Sequence, residues 1–124
     1  MKVVFMINQQ FDKRARLKLL ESYDFDGKIL EIGVLNNPLF YKKDKDVYYL
    51  DIKTADEFKE DYKTVDNILP VDFILKDSYE NTFKDVDFKF DYVCSSHVLE
   101  HIPNPISYLL DISKILSVRG KVCM

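Results

Sequence analysis

Glycine, proline and cysteine are all scarce in this chain. Three glycines and four prolines in 124 residues leave little room for flexible linkers, and there is no low-complexity tract or internal repeat. Two cysteines, Cys94 and Cys123, are too few for a disulfide framework. Set among apolar neighbours, they read as buried thiols of a reducing compartment. Long apolar runs are missing too: stretches such as Val3–Met6 fall far short of the ~20 residues a membrane span requires. The N-terminus turns polar without a small-residue cleavage site, which makes it a poor secretory signal. A cytoplasmic protein is the expectation. Excess positive charge is also absent. Eighteen Lys and Arg against 21 Asp and Glu give a net charge of −3, which argues against a general grip on nucleic-acid backbones.

What is present alternates in type. Asp12–Tyr23 places Ala15, Leu19 and Leu20 on one side and predicts an amphipathic helix capped by Asp12, with Gly27 marking the turn that follows. Lys28–Ile32 and Val47–Ile52 are short apolar runs that predict strands. Between Thr54 and Lys63, Ala55, Phe58 and Tyr62 recur at three- and four-residue steps. Thr54 with Glu57 has the spacing of a reciprocal capping box, so a helix is expected to begin there. Ile68–Ile74 is a third extended segment, its first half compromised by Pro70. Phe90–Cys94 is a fourth, and Lys121–Met124 opens a fifth. Asn104–Leu116 carries a helical stripe of Ile106, Leu109 and Leu110, with Gly120 as its exit signal.

Short apolar strands separated by amphipathic helices predict a parallel sheet with right-handed crossovers. A sheet of this kind that stops on a four-residue strand would leave a bare edge. Residues 1–124 are therefore expected to be one incomplete domain, the N-terminal portion of a longer protein, with association through the exposed fifth strand as a possible route to a homo-oligomer.

In an open parallel sheet, ligands sit beyond the carboxyl ends of the strands. After the first run comes Glu31-Ile32-Gly33, where glycine permits a tight turn and close backbone approach. Asn36 and Asn37 follow, and these tolerate left-handed geometry. After the second comes Asp51, 18 residues past Gly33, near the ~20-residue interval at which an acid meets a ribose diol. Its two acceptor oxygens suit two adjacent hydroxyls. Asp72 and Asp77 follow the third segment, and either could accept from an adenine amino group. By itself, each acid is more often a helix cap or a solvent-facing group.

The densest run is Ser95-Ser96-His97-Val98-Leu99-Glu100-His101-Ile102-Pro103-Asn104-Pro105. His97 to His101 fits the H-x-x-E-H pattern of inverted zinc peptidases, but Pro103 and Pro105 interrupt the helix that pattern requires, so no metal site is expected. His101 reads as a structural group pinning a turn. Ser96 and His97 read as the rim of a small-molecule cleft.

Together these segments resemble class I S-adenosylmethionine-dependent methyltransferases, over roughly Gly27–Met124. Lys28-Ile29-Leu30-Glu31-Ile32-Gly33 resembles that family's glycine-bearing motif. Val47-Tyr48-Tyr49-Leu50-Asp51 resembles the strand ending in the ribose-binding acid, and Val71-Asp72 the adenine-side acid. Phe90–Ile102 is the most specific piece, similar to the small-molecule, type 11-like branch. Val34-Leu35-Asn36-Asn37-Pro38 is similar to a variant found in bacterial proteins linked with cell-surface polysaccharide or glycan biosynthesis. It departs from the usual pattern in having Leu35 and Asn37 where the second and third glycines stand.

The resemblance implies an α/β, three-layer, Rossmann-like sheet of order 3-2-1-4-5-7-6, of which only the first five strands are expected here. It further implies S-adenosylmethionine as cofactor and methyl transfer to a small-molecule or glycan acceptor. Glu31, Gly33, Asp51, Asp72 and Ser96 would bind the cofactor, and His97 would be the acid–base group near the methyl. Two alternatives use the same segments. One is a non-catalytic interaction domain that keeps the fold. The other is a nicotinamide-dinucleotide enzyme, which Leu35 disfavours by standing where backbone would meet a pyrophosphate.

Overall fold

The computed structural model describes residues 2–4 (backbone only), 21, 23–95, 98 and 101–124. Six strands form one sheet: β1 (Lys2–Val4), β2 (Ile29–Ile32), β3 (Val47–Asp51), β4 (Phe73–Ile74), β5 (Phe90–Ser95) and β6 (Leu116–Cys123). Their order is β1-β6-β5-β2-β3-β4, and every pairing is parallel. The α/β, Rossmann-like parallel sheet expected from the sequence is the fold observed. β2 lies between β3 and β5 and is buried at all four positions, which is why its sequence is nearly continuous apolar rather than alternating.

Three helices are described: α1 (Ala55–Asp61), α2 (Tyr79–Thr82) and α3 (Pro105–Ser113). The Thr54–Glu57 capping box forms as expected, with the Glu57 N–H donating to Thr54 Oγ1 at 3.2 Å and the Thr54 N–H donating to Glu57 Oε1 at 3.3 Å. Tyr79 and Phe83 at α2, with Tyr108 and Ile112 of α3, cover one sheet face over Leu30, Leu50, Phe90 and Val93. On the other face, Phe25, Leu39 and Phe40 pack over Ile29, Val47, Tyr49 and Cys94. The helix expected over Asp12–Tyr23 lies almost wholly outside the described residues.

Three boundaries differ most from the sequence expectation. The segment Ile68–Ile74 contracts to the two residues of β4. Pro70 has no N–H to donate, and the Leu69 N–H turns away to the Leu35 carbonyl at 2.8 Å. The helix expected to reach Leu116 stops at Ser113, because Ile115 and Leu116 are already buried and Phe90 N–H donates to the Ile115 carbonyl. The last strand accordingly starts at Leu116, five residues early.

That strand bulges. Phe90 pairs with Leu116, yet Tyr92 pairs with Lys121, so Ser117–Gly120 loops out and Val118 is fully exposed. Gly120 belongs to this loop rather than to a helix exit. A Cβ there would come within 2.9 Å of Leu116 Cβ.

The fifth strand of the expected sheet is not its edge, which overturns association through an exposed fifth strand. Lys2, Val3 and Val4 pair with Lys121, Val122 and Cys123. The slot that the resemblance assigns to the seventh strand is thus filled by a parallel one from the other end of the chain.

Candidate functional site

The carboxyl ends of β2 and β3 are held level by the Gly33 N–H, which donates to the Leu50 carbonyl at 3.0 Å. A cavity of about 630 Å³ opens just beyond them. Gly33, Leu35 and Asn36 line it from the β2 side, and Asp51 and Ile52 from β3. Phe58 and Tyr62 reach it from α1, Tyr79 from α2, and Val98 and His101 from the turn after β5. Its volume falls within the range of small-molecule sites.

Gly33 has φ +74°, and a Cβ there would meet Val98 Cγ2 at 3.1 Å, so both conformation and space call for glycine. Leu35 also has positive φ, +49°. This unfavourable geometry is held by the bond from Leu69 and by Asn36 Nδ2, which donates to the Asp66 carbonyl at 3.2 Å. Strained backbone that its surroundings maintain tends to cluster at ligand sites.

Asp51 is the least satisfied acid in the cavity. Its Oδ1 accepts the N–H of its neighbour Ile52 at 2.8 Å, and among the described residues no cation pairs with it. Burial pushes its carboxyl above the ordinary aspartate value, and the Ile52 N–H opposes that only in part. The arrangement fits a ribose diol, whose two hydroxyls would supply the missing donors.

Glu31 lines the cavity and is buried, but its carboxylate is engaged. Oε1 accepts from Leu39 N–H at 2.6 Å and Oε2 from Phe40 N–H at 3.2 Å. It ties the loop after β2 to the sheet.

Asp72 does not join the site. It precedes β4 instead of following it, since β4 starts at Phe73. Its Oδ2 accepts from Tyr49 N–H at 2.7 Å and from Lys42 Nζ at 2.6 Å. Asp72, the acid expected on the adenine side, is not among the residues lining this cavity, because the strand is shorter than its sequence pattern and begins later. Asp77 lies past β4, with Oδ1 accepting from Asn81 Nδ2 at 2.7 Å, and faces a separate hollow beside α3.

Ser96 and His97 lie outside the described residues, as does Glu100. The His101 N–H donates to the Val98 carbonyl at 3.0 Å. His101, read from sequence as a structural group, lines the cavity.

Three aromatic side chains of the site were not foreseen. Phe58 and Tyr62 were visible as a stripe on a helix, but the sequence does not tell whether such a stripe meets the core or a cavity. Tyr79 follows a helix cap at Ser78. Its ring packs edge-on to Tyr108 at 5.6 Å, and burial holds its phenol well above the ordinary tyrosine value, so it stays a donor.

A family model described as a methyltransferase domain matches residues 30–124. Among solved structures, the crystal structure of the glycopeptide N-methyltransferase MtfA matches with a TM-score of 0.55 at 16% identity. The match covers 97% of this chain and 55% of that one. At this identity the likeness is one of fold, and the chain spans about half the length of that protein. No curated protein gives a significant sequence match.

Proposed function

Because the chain belongs to the methyltransferase-domain family, within the class I S-adenosylmethionine-dependent methyltransferases, we propose that its cavity binds S-adenosylmethionine for methyl transfer to a small-molecule or glycan-type acceptor. The observation that carries this reading is Asp51, a half-buried carboxylate short of donors, opposite the open backbone of Gly33. Asp51 takes the ribose hydroxyls. The Gly33–Asn37 backbone, held by Glu31 through Leu39 and Phe40, passes under the amino-acid tail. When bound, the cofactor supplies a methyl on a positively charged sulfur, open to in-line displacement by an acceptor lone pair.

The chain's own contribution is to hold the two partners in line and keep water away. Ile52, Leu75, Val98 and Ile102 supply the apolar lining. From their sequence position after β5, Ser96 is proposed for cofactor contact and His97 for proton removal from a hydroxyl acceptor. A glycopeptide-acting neighbour in the same fold supports a small polar acceptor.

Calorimetric titration of S-adenosylmethionine and S-adenosylhomocysteine into the 124-residue chain and its Asp51→Ala variant tests the assignment. Saturable binding that the substitution weakens at least tenfold is expected. A well-folded chain with no affinity for either compound would instead identify it as a non-catalytic interaction domain.

A further inference from the structure

The two cysteines of the chain stand side by side in its sheet, away from the cavity. β5 and β6 pair in parallel with Cys94 opposite Cys123. Both thiols are free and fully buried. Both side chains lie on the sheet face covered by Phe25 and Phe40, while their neighbours Val93 and Val122 pack on the other. Adjacent strands run about 4.8 Å apart, inside the roughly 4.4–6.8 Å between Cα atoms that a disulfide spans.

The pair is chemically asymmetric. With Cys94 as hydrogen-bond donor beside it and the Lys121 ammonium nearby, Cys123 is held below the ordinary thiol value. Cys94, giving that hydrogen bond in buried surroundings, is held well above it. Lys121 Nζ is fixed over the rings of Tyr23 and Tyr92, at 5.4 and 5.3 Å. One sulfur is thus suited to attack and the other to resolve. A route to the first exists as well. On its outer edge β6 pairs with β1, which is three residues long and sets Val4 opposite Cys123. So short an edge strand opens locally at small cost, and the opening admits a molecule little larger than water.

We propose that Cys94 and Cys123 form a reversible oxidation site, closing to a cross-strand disulfide when a hydroperoxide reaches Cys123. The Cys123 sulfur attacks a peroxide oxygen, the O–O bond breaks, and a sulfenic acid forms as the leaving oxygen takes a proton. The Cys94 sulfur then attacks the Cys123 sulfur. The S–S bond forms, the S–O bond breaks, and hydroxide leaves with the Cys94 proton as water. Two thiols lose two electrons in all, and hydrogen peroxide becomes two waters. Cβ atoms squarely opposite on parallel strands stand near the strand spacing, wider than the roughly 3.5–4.5 Å of a relaxed disulfide. The closed bond is therefore strained, and a dithiol reopens it by exchange. Transient disulfides of this kind are the ones that reducing compartments permit. The assignment is independent of what the cavity binds.

The test is to treat the folded chain with hydrogen peroxide, block remaining thiols with N-ethylmaleimide in denaturant, and weigh the intact protein. Wild type is expected to lose both thiols and two hydrogen atoms of mass while staying a single chain. Dithiothreitol should then restore two maleimide adducts. Cys94→Ala should halt at the sulfenic acid, which dimedone traps on Cys123, and Cys123→Ala should keep its thiol through the same exposure.

Two maleimide adducts on peroxide-treated wild type overturn the proposal. So does a disulfide between chains, or oxygen added to the sulfurs without a cross-link. The wild-type mass decides the matter even if neither variant folds.

Discussion

The carboxyl end of β3 and the start of β4 each present an aspartate, and they treat it in opposite ways. Asp51 ends its strand facing a cavity, with one neighbouring N–H for company. Asp72 sits one strand over and below, with an amide and an ammonium on the same oxygen. One acid is left wanting donors, and the other is saturated. The comparison teaches that position along the strand, not residue type, separates a carboxylate that faces a cavity from one absorbed into the fold. Glu31 sharpens the point, because it lines the cavity and is nonetheless saturated by Leu39 and Phe40.

The largest expected effect falls on that saturated acid. Glu31→Ala orphans two buried N–H groups, at ~1–3 kcal/mol each. It should lower unfolding free energy by roughly 2–6 kcal/mol in urea titration, and unchanged stability would show that the loop holds itself. Asp51→Ala comes next and acts on binding: a loss of about 1.5–3 kcal/mol for S-adenosylhomocysteine is expected by calorimetry. Asp72→Ala should do the reverse, costing ~1–2 kcal/mol of stability through the unpaired Tyr49 N–H while leaving affinity unaltered. An affinity loss there would break the contrast.

The smallest effect has the opposite sign. Since burial raises the Asp51 pKa, the folded chain favours the protonated acid. Its stabilising contribution is present at pH below the ordinary aspartate value and fades as pH rises through the raised one. At neutral pH, Asp51→Asn should therefore raise the melting temperature of the ligand-free chain by about 1–2 °C, with weakened ligand binding. A fall in melting temperature would mean that the carboxylate has a native partner.

Much of this was legible from composition and spacing. The capping box at Thr54, the glycine at 33 and the acid at 51 are local signals, and each landed where the pattern placed it. The failures share a physical cause: they depended on distant pairing. Asp72 was misplaced because β4 begins only where Leu50 and Asp51 offer it a ladder. The last strand began early because Phe90 reaches back to Leu116. The Lys2–Val4 strand went unread because its partner lies at the far end of the sequence.

That last pairing has a consequence for how the molecule is made. During synthesis the first residues leave the ribosome long before residues 121–123 exist, and at ~5–20 residues per second the delay is roughly 6–24 s. Closure of the sheet's outer seam is thus among the most sequence-distant events of folding, the kind that slows a topology. Until it occurs, the β6 backbone is open to other chains. Newly made protein at high concentration should accordingly be more prone to aggregate than the finished molecule, with β6 as the surface that nucleates it.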